Sequence, residues 1–259
     1  MPAPLAWLVV GAFGLTIGSF LNVCICRIPA GESIVFPPSH CPKCAAAISH
    51  RDNIPLLSYL LLRGRCRSCG GAISLRYPAV EALTGIMLVL LVQRFGVSPQ
   101  LAVYGIFVAA LIVISFIDLD HQIIPDVISL PGIVLGLIFS ALGQGPPLID
   151  SAIGVLVGGG ILYAVAVGYH AITGREGMGG GDIKLLAMIG AFLGWQAVFV
   201  TLILGSFAGS VIGIALILVQ GKDSRVPIPF GPFLACGALC ALAFGEELIR
   251  WYLRLALPA

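Results

Sequence analysis

Two groups of residues in this chain are spaced for chemistry. Four cysteines fall in two CxxC turns, "CPKC" at Cys41 and Cys44 and "CRSC" at Cys66 and Cys69, with 21 residues between the turns. Each turn aims two sulfurs at one point, and four thiolates complete a tetrahedral zinc shell. Such a shell leaves no open position for water, so the expected zinc is a structural staple and not a hydrolytic centre. Two disulfides or four free thiols are the alternatives. A basic loop in a reducing cytosol argues against stable disulfides. His40 and His50 lie in the same stretch and could replace a ligand, although four sulfurs suffice. Cys24, Cys26, Cys236 and Cys240 sit in or beside apolar runs and are expected to pack as small hydrophobes.

The second group is acidic. Of only 12 acidic residues, Asp118, Asp120 and Asp126 crowd into "FIDLDHQIIPD", and Asp182 closes the glycine run of "GREGMGGGDIK". Asp126 and Asp182 could each simply begin a helix, where aspartate is a favoured N-cap. Asp118 ends an uninterrupted apolar stretch, so a cap cannot explain it. Two carboxylates from separate helices can share one proton, the ionised one activating water and the protonated one donating to the substrate carbonyl. That is aspartic proteolysis, with the pair titrating as a unit. Gly179, Gly180 and Gly181 would then let a substrate backbone approach Asp182 and would tolerate positive φ.

The elements that must position these groups are membrane helices. The 259 residues are 59% hydrophobic and 10% charged, with mean hydropathy +1.06. Long uncharged runs recur, several reaching the ~20 residues needed to cross a bilayer, without the alternation of a barrel strand. The first run carries no basic n-region and is read as a retained anchor. Seven of the 14 lysines and arginines lie between Arg27 and Arg76, which places that stretch in the cytoplasm. Following the same bias onward predicts an all-α polytopic protein of about eight transmembrane helices, both termini outside, with Asp118 and Asp182 on the cytoplasmic side. One hairpin turns near Gly194, Trp195 and Gln196, its first arm short. The expected organisation is a first transmembrane helix over 1–26, a cytoplasmic four-cysteine zinc-binding loop over 27–77 and a membrane domain of about seven helices over 78–259. Gly14 and Gly18, Gly154 and Gly158, and Gly205, Gly209 and Gly213 have the four-residue spacing that lets membrane helices approach closely. No internal repeat is evident.

The motifs resemble the type IV prepilin peptidase family, the prepilin leader peptidase/N-methyltransferases, over nearly the whole chain. They are "GSFLNVCICRIP" from Gly18, the paired CxxC turns, "NIPLLSYLLLRGRC" from Asn53, "RYPAVE" from Arg76, "IDLDHQIIPD" ending at Asp126, "GREGMGGGDIKLLAMIGAFLGW" from Gly174 and "PIPFGPFLA" from Pro227. The resemblance implies a bacterial inner-membrane aspartic protease of the GxGD class with its site on the cytosolic side. The catalytic pair carries over onto Asp118 and Asp182. Implied substrates are type IV prepilins and type II secretion pseudopilins, cut after a glycine that ends a short basic leader. A second activity methylates the new amino terminus from S-adenosylmethionine, with the donor pocket placed near the four-cysteine loop and Glu81. Glu81 could equally be a helix-start acid. Glu176, Asp120 and Asp126 could attract the basic leader. Lys184 could act on Asp182 or snorkel to a headgroup. No nucleic-acid partner is expected. The rival function is a non-enzymatic, zinc-stapled membrane module that docks a pilus or secretion component.

Overall fold

The computed structural model describes residues 3–175, 177–220 and 228–256, all-helical with no strand among them. Packing divides the chain into two compact units, 1–113 and 114–259.

The first unit holds α1 (Ala3–Arg27), a 3-10 turn (His50–Asn53), the short α2 (Leu57–Leu61), α3 (Arg76–Phe95) and most of α4 (Pro99–His121). Helices α1 and α3 meet through small residues. A Cβ on Gly14 would lie 2.8 Å from the Gly85 Cα, and one on Gly18 would lie 2.7 Å from the Glu81 Cα. In lipid there is no hydrophobic drive to associate, so backbone approach and dispersion supply the attraction. Asn22 adds a hydrogen bond across the pair, donating to the Tyr77 carbonyl at 3.0 Å. At the end of α1, Arg27 donates to the carbonyls of Ser33 and Pro37 at 2.9 and 2.6 Å, which fixes the chain as it enters the cysteine loop.

The second unit holds the end of α4, then α5 (Asp126–Ala141), α6 (Leu148–Thr173), α7 (Gly180–Leu193), α8 (Trp195–Gln220) and α9 (Gly231–Ala256). Helix α7 is its centre, with every residue from Leu185 to Phe192 buried. It is gripped on two sides. Gly132 and Gly136 of α5 face Met188 and Ala191, and Gly154 and Gly158 of α6 face the backbone at Gly190 and Leu186. A single residue, Gly194 at φ 83°, joins α7 to α8, at the turn the sequence foresaw.

Among the described residues six helices are long and apolar enough to cross a membrane, namely α1, α3, α4, α6, α8 and α9. The expected eight is two more than these lengths support. The 16 residues of α5 span about 24 Å and the 14 of α7 about 21 Å, against ~30 Å of hydrocarbon. A helix short of the full thickness is tolerated where protein encloses it, and α7 is so enclosed.

Candidate active site and metal centre

The Sγ atoms of Cys41, Cys44, Cys66 and Cys69 all lie within 4.8 Å of one another, those of Cys41 and Cys69 at 4.0 Å. A tetrahedral ion with sulfur bonds of ~2.3 Å sets sulfurs roughly 3.8 Å apart. The donor set therefore fits a metal ion with little adjustment. The two turns are built alike. Cys41 N–H donates to Ala46 O and Ala45 N–H to Cys41 O; Cys66 N–H donates to Gly71 O and Gly70 N–H to Cys66 O, all within 2.8–2.9 Å. Each is closed by one antiparallel bridge, His40 with Ala47 and Arg65 with Ala72. This is an internal repeat that the sequence reading missed. Its fifth position needs a left-handed backbone, supplied by Gly70 at φ 68° and by Ala45 at φ 57°. The amides of Lys43 and Cys44 pull the Cys41 thiol down to about 6, which favours the thiolate that binds metal. Between the second pair of cysteines, Arg67 forks onto Asp52 with contacts of 2.8 and 2.6 Å and holds that carboxyl below the usual carboxylate range. His40 contributes to the bridge and not to the sulfur cluster.

Glu81 is buried well inside α3, past its first turn, so it is not a helix-start acid. Its Oε2 accepts the Leu56 N–H at 2.9 Å. Leu56 has φ 57°, an uncommon backbone state for leucine. Glu81 thus ties the middle of the cysteine loop, between the two CxxC turns, to α3 where α1 packs on it.

In the second unit the acids gather at one end. Asp118 lies in the last turn of α4 and is 5% exposed. Its Oδ2 accepts the Gly231 N–H, the first amide of α9, at 2.9 Å. Asp182 lies in the first turn of α7, but the N-cap there is Gly179 and no side chain caps the helix. The capping explanation for Asp182 therefore fails. The charge of Asp118 reaches the Asp182 carboxyl. Two carboxyls within electrostatic reach resist ionising together. Asp126 opens α5 without capping it; both its oxygens accept from Lys184 Nζ at 2.7 Å. Lys184 thereby pins the start of α7 to the start of α5 and does not snorkel. Asp120 is exposed, and Glu176 lies outside the described residues.

The glycine run does not use the positive φ that glycine tolerates. None of Gly179, Gly180 and Gly181 has positive φ. Gly181 lacks a side chain because a Cβ would sit 2.8 Å from the Ile124 Cβ, and Gly180 faces open space. The residue missed by sequence reasoning is Gly231. It lies in the quoted "PIPFGPFLA" but bears no side chain to signal a role.

Residues 12–95 match the model of the bacterial Peptidase A24 N-terminal domain, and residues 105–214 match that of the type IV leader peptidase family. A prepilin leader peptidase/N-methyltransferase of Aeromonas salmonicida is 41% identical over 96% of this chain and 95% of its own length. The chain belongs to the type IV leader peptidase family. A relative of the same description from Pseudomonas aeruginosa is 39% identical over 94% of the chain and 92% of its own length. One from Myxococcus xanthus is 42% identical over 85% of the chain and 65% of its own length. No solved structure matches the chain. Membership makes it a multi-pass membrane peptidase. The leader peptidase match contains Asp118 and Asp182 but ends before Gly231.

Proposed function

We propose that this leader peptidase is an aspartic endopeptidase whose dyad is Asp118 and Asp182, working at the cytosolic face of the bacterial inner membrane. The observation that carries the reading is the convergence of two carboxyls from α4 and α7, one buried and within electrostatic reach of the other. One carboxylate takes a proton from water as its oxygen attacks the scissile carbonyl carbon. The protonated partner gives its proton to the carbonyl oxygen. Collapse of the tetrahedral intermediate breaks the C–N bond, and the leaving amine takes up a proton from the dyad.

The substrates are type IV prepilins, after the description of the relatives as prepilin leader peptidases, with type II secretion pseudopilins added on the motif resemblance alone. A basic leader stays in the cytosol and an apolar helix stays in lipid, so the scissile bond falls at the interface. Asp120, Asp126, Glu176 and Lys184, with Gly179 to Gly181, border the dyad in sequence and are the proposed substrate contacts. Asp126 meets the leader as part of its ion pair with Lys184.

Methylation of the new amino terminus is the second proposed activity, after the N-methyltransferase half of the relatives' description. S-adenosylmethionine supplies the methyl group when bound. The proposed pocket adjoins the four-cysteine loop and Glu81. Near it Asn22 keeps a buried Oδ1 without a partner, an acceptor suited to a polar ligand. Zinc is the metal proposed for Cys41, Cys44, Cys66 and Cys69, which would hold the loop closed.

The test incubates purified protein in liposomes with a pilin precursor and a labelled methyl donor. Wild-type protein is expected to cleave and label it, while Asp118→Asn and Asp182→Asn abolish cleavage with the fold intact. Cleavage by either folded variant ends the dyad assignment. Ordinary precursor processing in cells lacking the protein would favour a docking module instead.

A further inference from the structure

The dyad of the proposed function is symmetric in chemistry, but its two members are not symmetric in surroundings. Helix α9 begins at Gly231, and Phe230 caps it, its carbonyl accepting from Phe233 and Leu234 N–H at 3.1 Å each. Pro232 has no N–H. The Gly231 amide is therefore the one first-turn donor of α9 not turned back into the helix, and it points at Asp118 Oδ2 at 2.9 Å. The positive end of the helix dipole lies behind it. Glycine is required for that approach, because a Cβ at 231 would come 2.7 Å from Oδ2 and 3.3 Å from Cγ of Asp118. Among the described residues no comparable donor meets the carboxyl of Asp182, in the first turn of α7.

We propose that the amino end of α9 assigns the dyad its roles, the Gly231 amide holding Asp118 as the ionised general base so that Asp182 carries the shared proton. Gly231 is a positioning residue, and the inference rests on the dyad reading. A hydrogen bond to the charged form of a carboxyl favours that form, and a donor in a water-poor site does so strongly. Other ionisable groups do not reverse the bias. From α7 the group acting on the pair is Asp182 itself, while Lys184 is bound to Asp126 of α5. Residues 228–234 and α8 bring no ionisable side chain. Asp120 and His121 follow on the same helix as Asp118 and are exposed.

The experiment replaces the Phe230–Gly231 amide with an ester by placing glycolic acid at 231, which removes the donor and adds no atom that clashes. The full chain in liposomes is assayed for precursor cleavage across pH. With the donor gone, Asp118 takes up a proton more readily. The acid limb of the kcat/KM profile is expected to move up by about one pH unit, an approximately tenfold loss on that side, with KM little changed. The same ester at Ala238, in the body of α9, is expected to leave the limb in place. Gly231→Ala, which presses on Oδ2, is expected to move the limb in the same direction if the ester protein does not fold. A loss equal at every pH, an unmoved profile, or a shift of the alkaline limb instead overturns the assignment. Asp118→Asn and Asp182→Asn are measured alongside. Activity in either overturns the dyad and this inference together, whereas two inactive variants with an unmoved acid limb overturn this inference alone.

Discussion

Close backbone packing lies one helical turn beyond Asp182, and Gly158→Ala is the perturbation that reads it. A Cβ at 158 would sit 2.5 Å from Leu186 O and 2.9 Å from Leu186 C, both main-chain atoms that no rotamer change can move. Ordinary contact begins at 3.4 Å, so α6 and α7 must part by about 0.9 Å. Helix α7 has nowhere to retreat, because on its α5 side a Cβ at Gly136 would already lie 2.8 Å from the Ala191 Cβ. Overpacking of this kind costs about 1–3 kcal/mol. At about 2–4 °C per kcal/mol for a chain of this size, Tm should fall by several degrees. The larger effect is on catalysis, since a displacement near 1 Å of a reacting group can cost ~100-fold. Two neighbours serve as controls. A Cβ at Gly159 meets only ordinary contacts, 3.6 Å to the Ala187 Cβ, and one at Gly160 meets nothing. The assay is precursor cleavage in liposomes with Tm on the same preparations. Gly158→Ala should lose on the order of 100-fold in kcat, while Gly160→Ala keeps full rate. A Gly158→Ala protein with wild-type rate and Tm would refute the claim that α6 sets the position of Asp182.

Other perturbations reach the remaining contacts. Cys41→Ser and Cys66→Ser should each remove bound metal by elemental analysis and expose the 41–69 loop to protease, and metal retained in both variants would reject the four-sulfur set. Ala45→Gly should stabilise the metal loop by about 1 kcal/mol, since it relieves a left-handed alanine; a chelator titration that shows no gain in metal retention contradicts this. Lys184→Met should cost less than about 1 kcal/mol of stability because the pair with Asp126 is partly exposed. It should nevertheless lower cleavage severalfold by freeing the start of α7. The swap Asp126→Lys with Lys184→Asp should recover most of that loss, and a swap no better than the single change would show that the pair is not a clamp.

Much of the helical framework could be read from the sequence because bilayer crossing imposes a length and a composition, both visible along the chain. The cysteine turns were equally legible, since a CxxC turn is local and its sulfurs have few other uses. Span number was less so. Hydropathy gives apolar stretches but not whether lipid or protein surrounds them, and α7 is apolar because α5 and α6 enclose it. The knuckle repeat was hidden by Ala45 standing where its twin has Gly70. The acids could be singled out by their rarity, but their partners could not. Lys184 reaches Asp126 across 58 positions, and Asp118 meets Gly231 across 113. The glycines before Asp182 were read as room for a substrate backbone; packing against Ile124, a contact 57 positions back along the chain, is what position 181 requires.

The contact between α9 and Asp118 comes from the polymer's repeating unit and not from a side group. Every amino acid except proline would furnish the same N–H, so systematic side-chain scanning has no clean way to delete it. Such a survey would score position 231 as a place intolerant of bulk and pass over its electrical part. Inhibitors meet the converse situation. A compound that displaces this amide from Asp118 competes with a group that point replacement can crowd but, short of proline, cannot remove, which narrows the routes to resistance there.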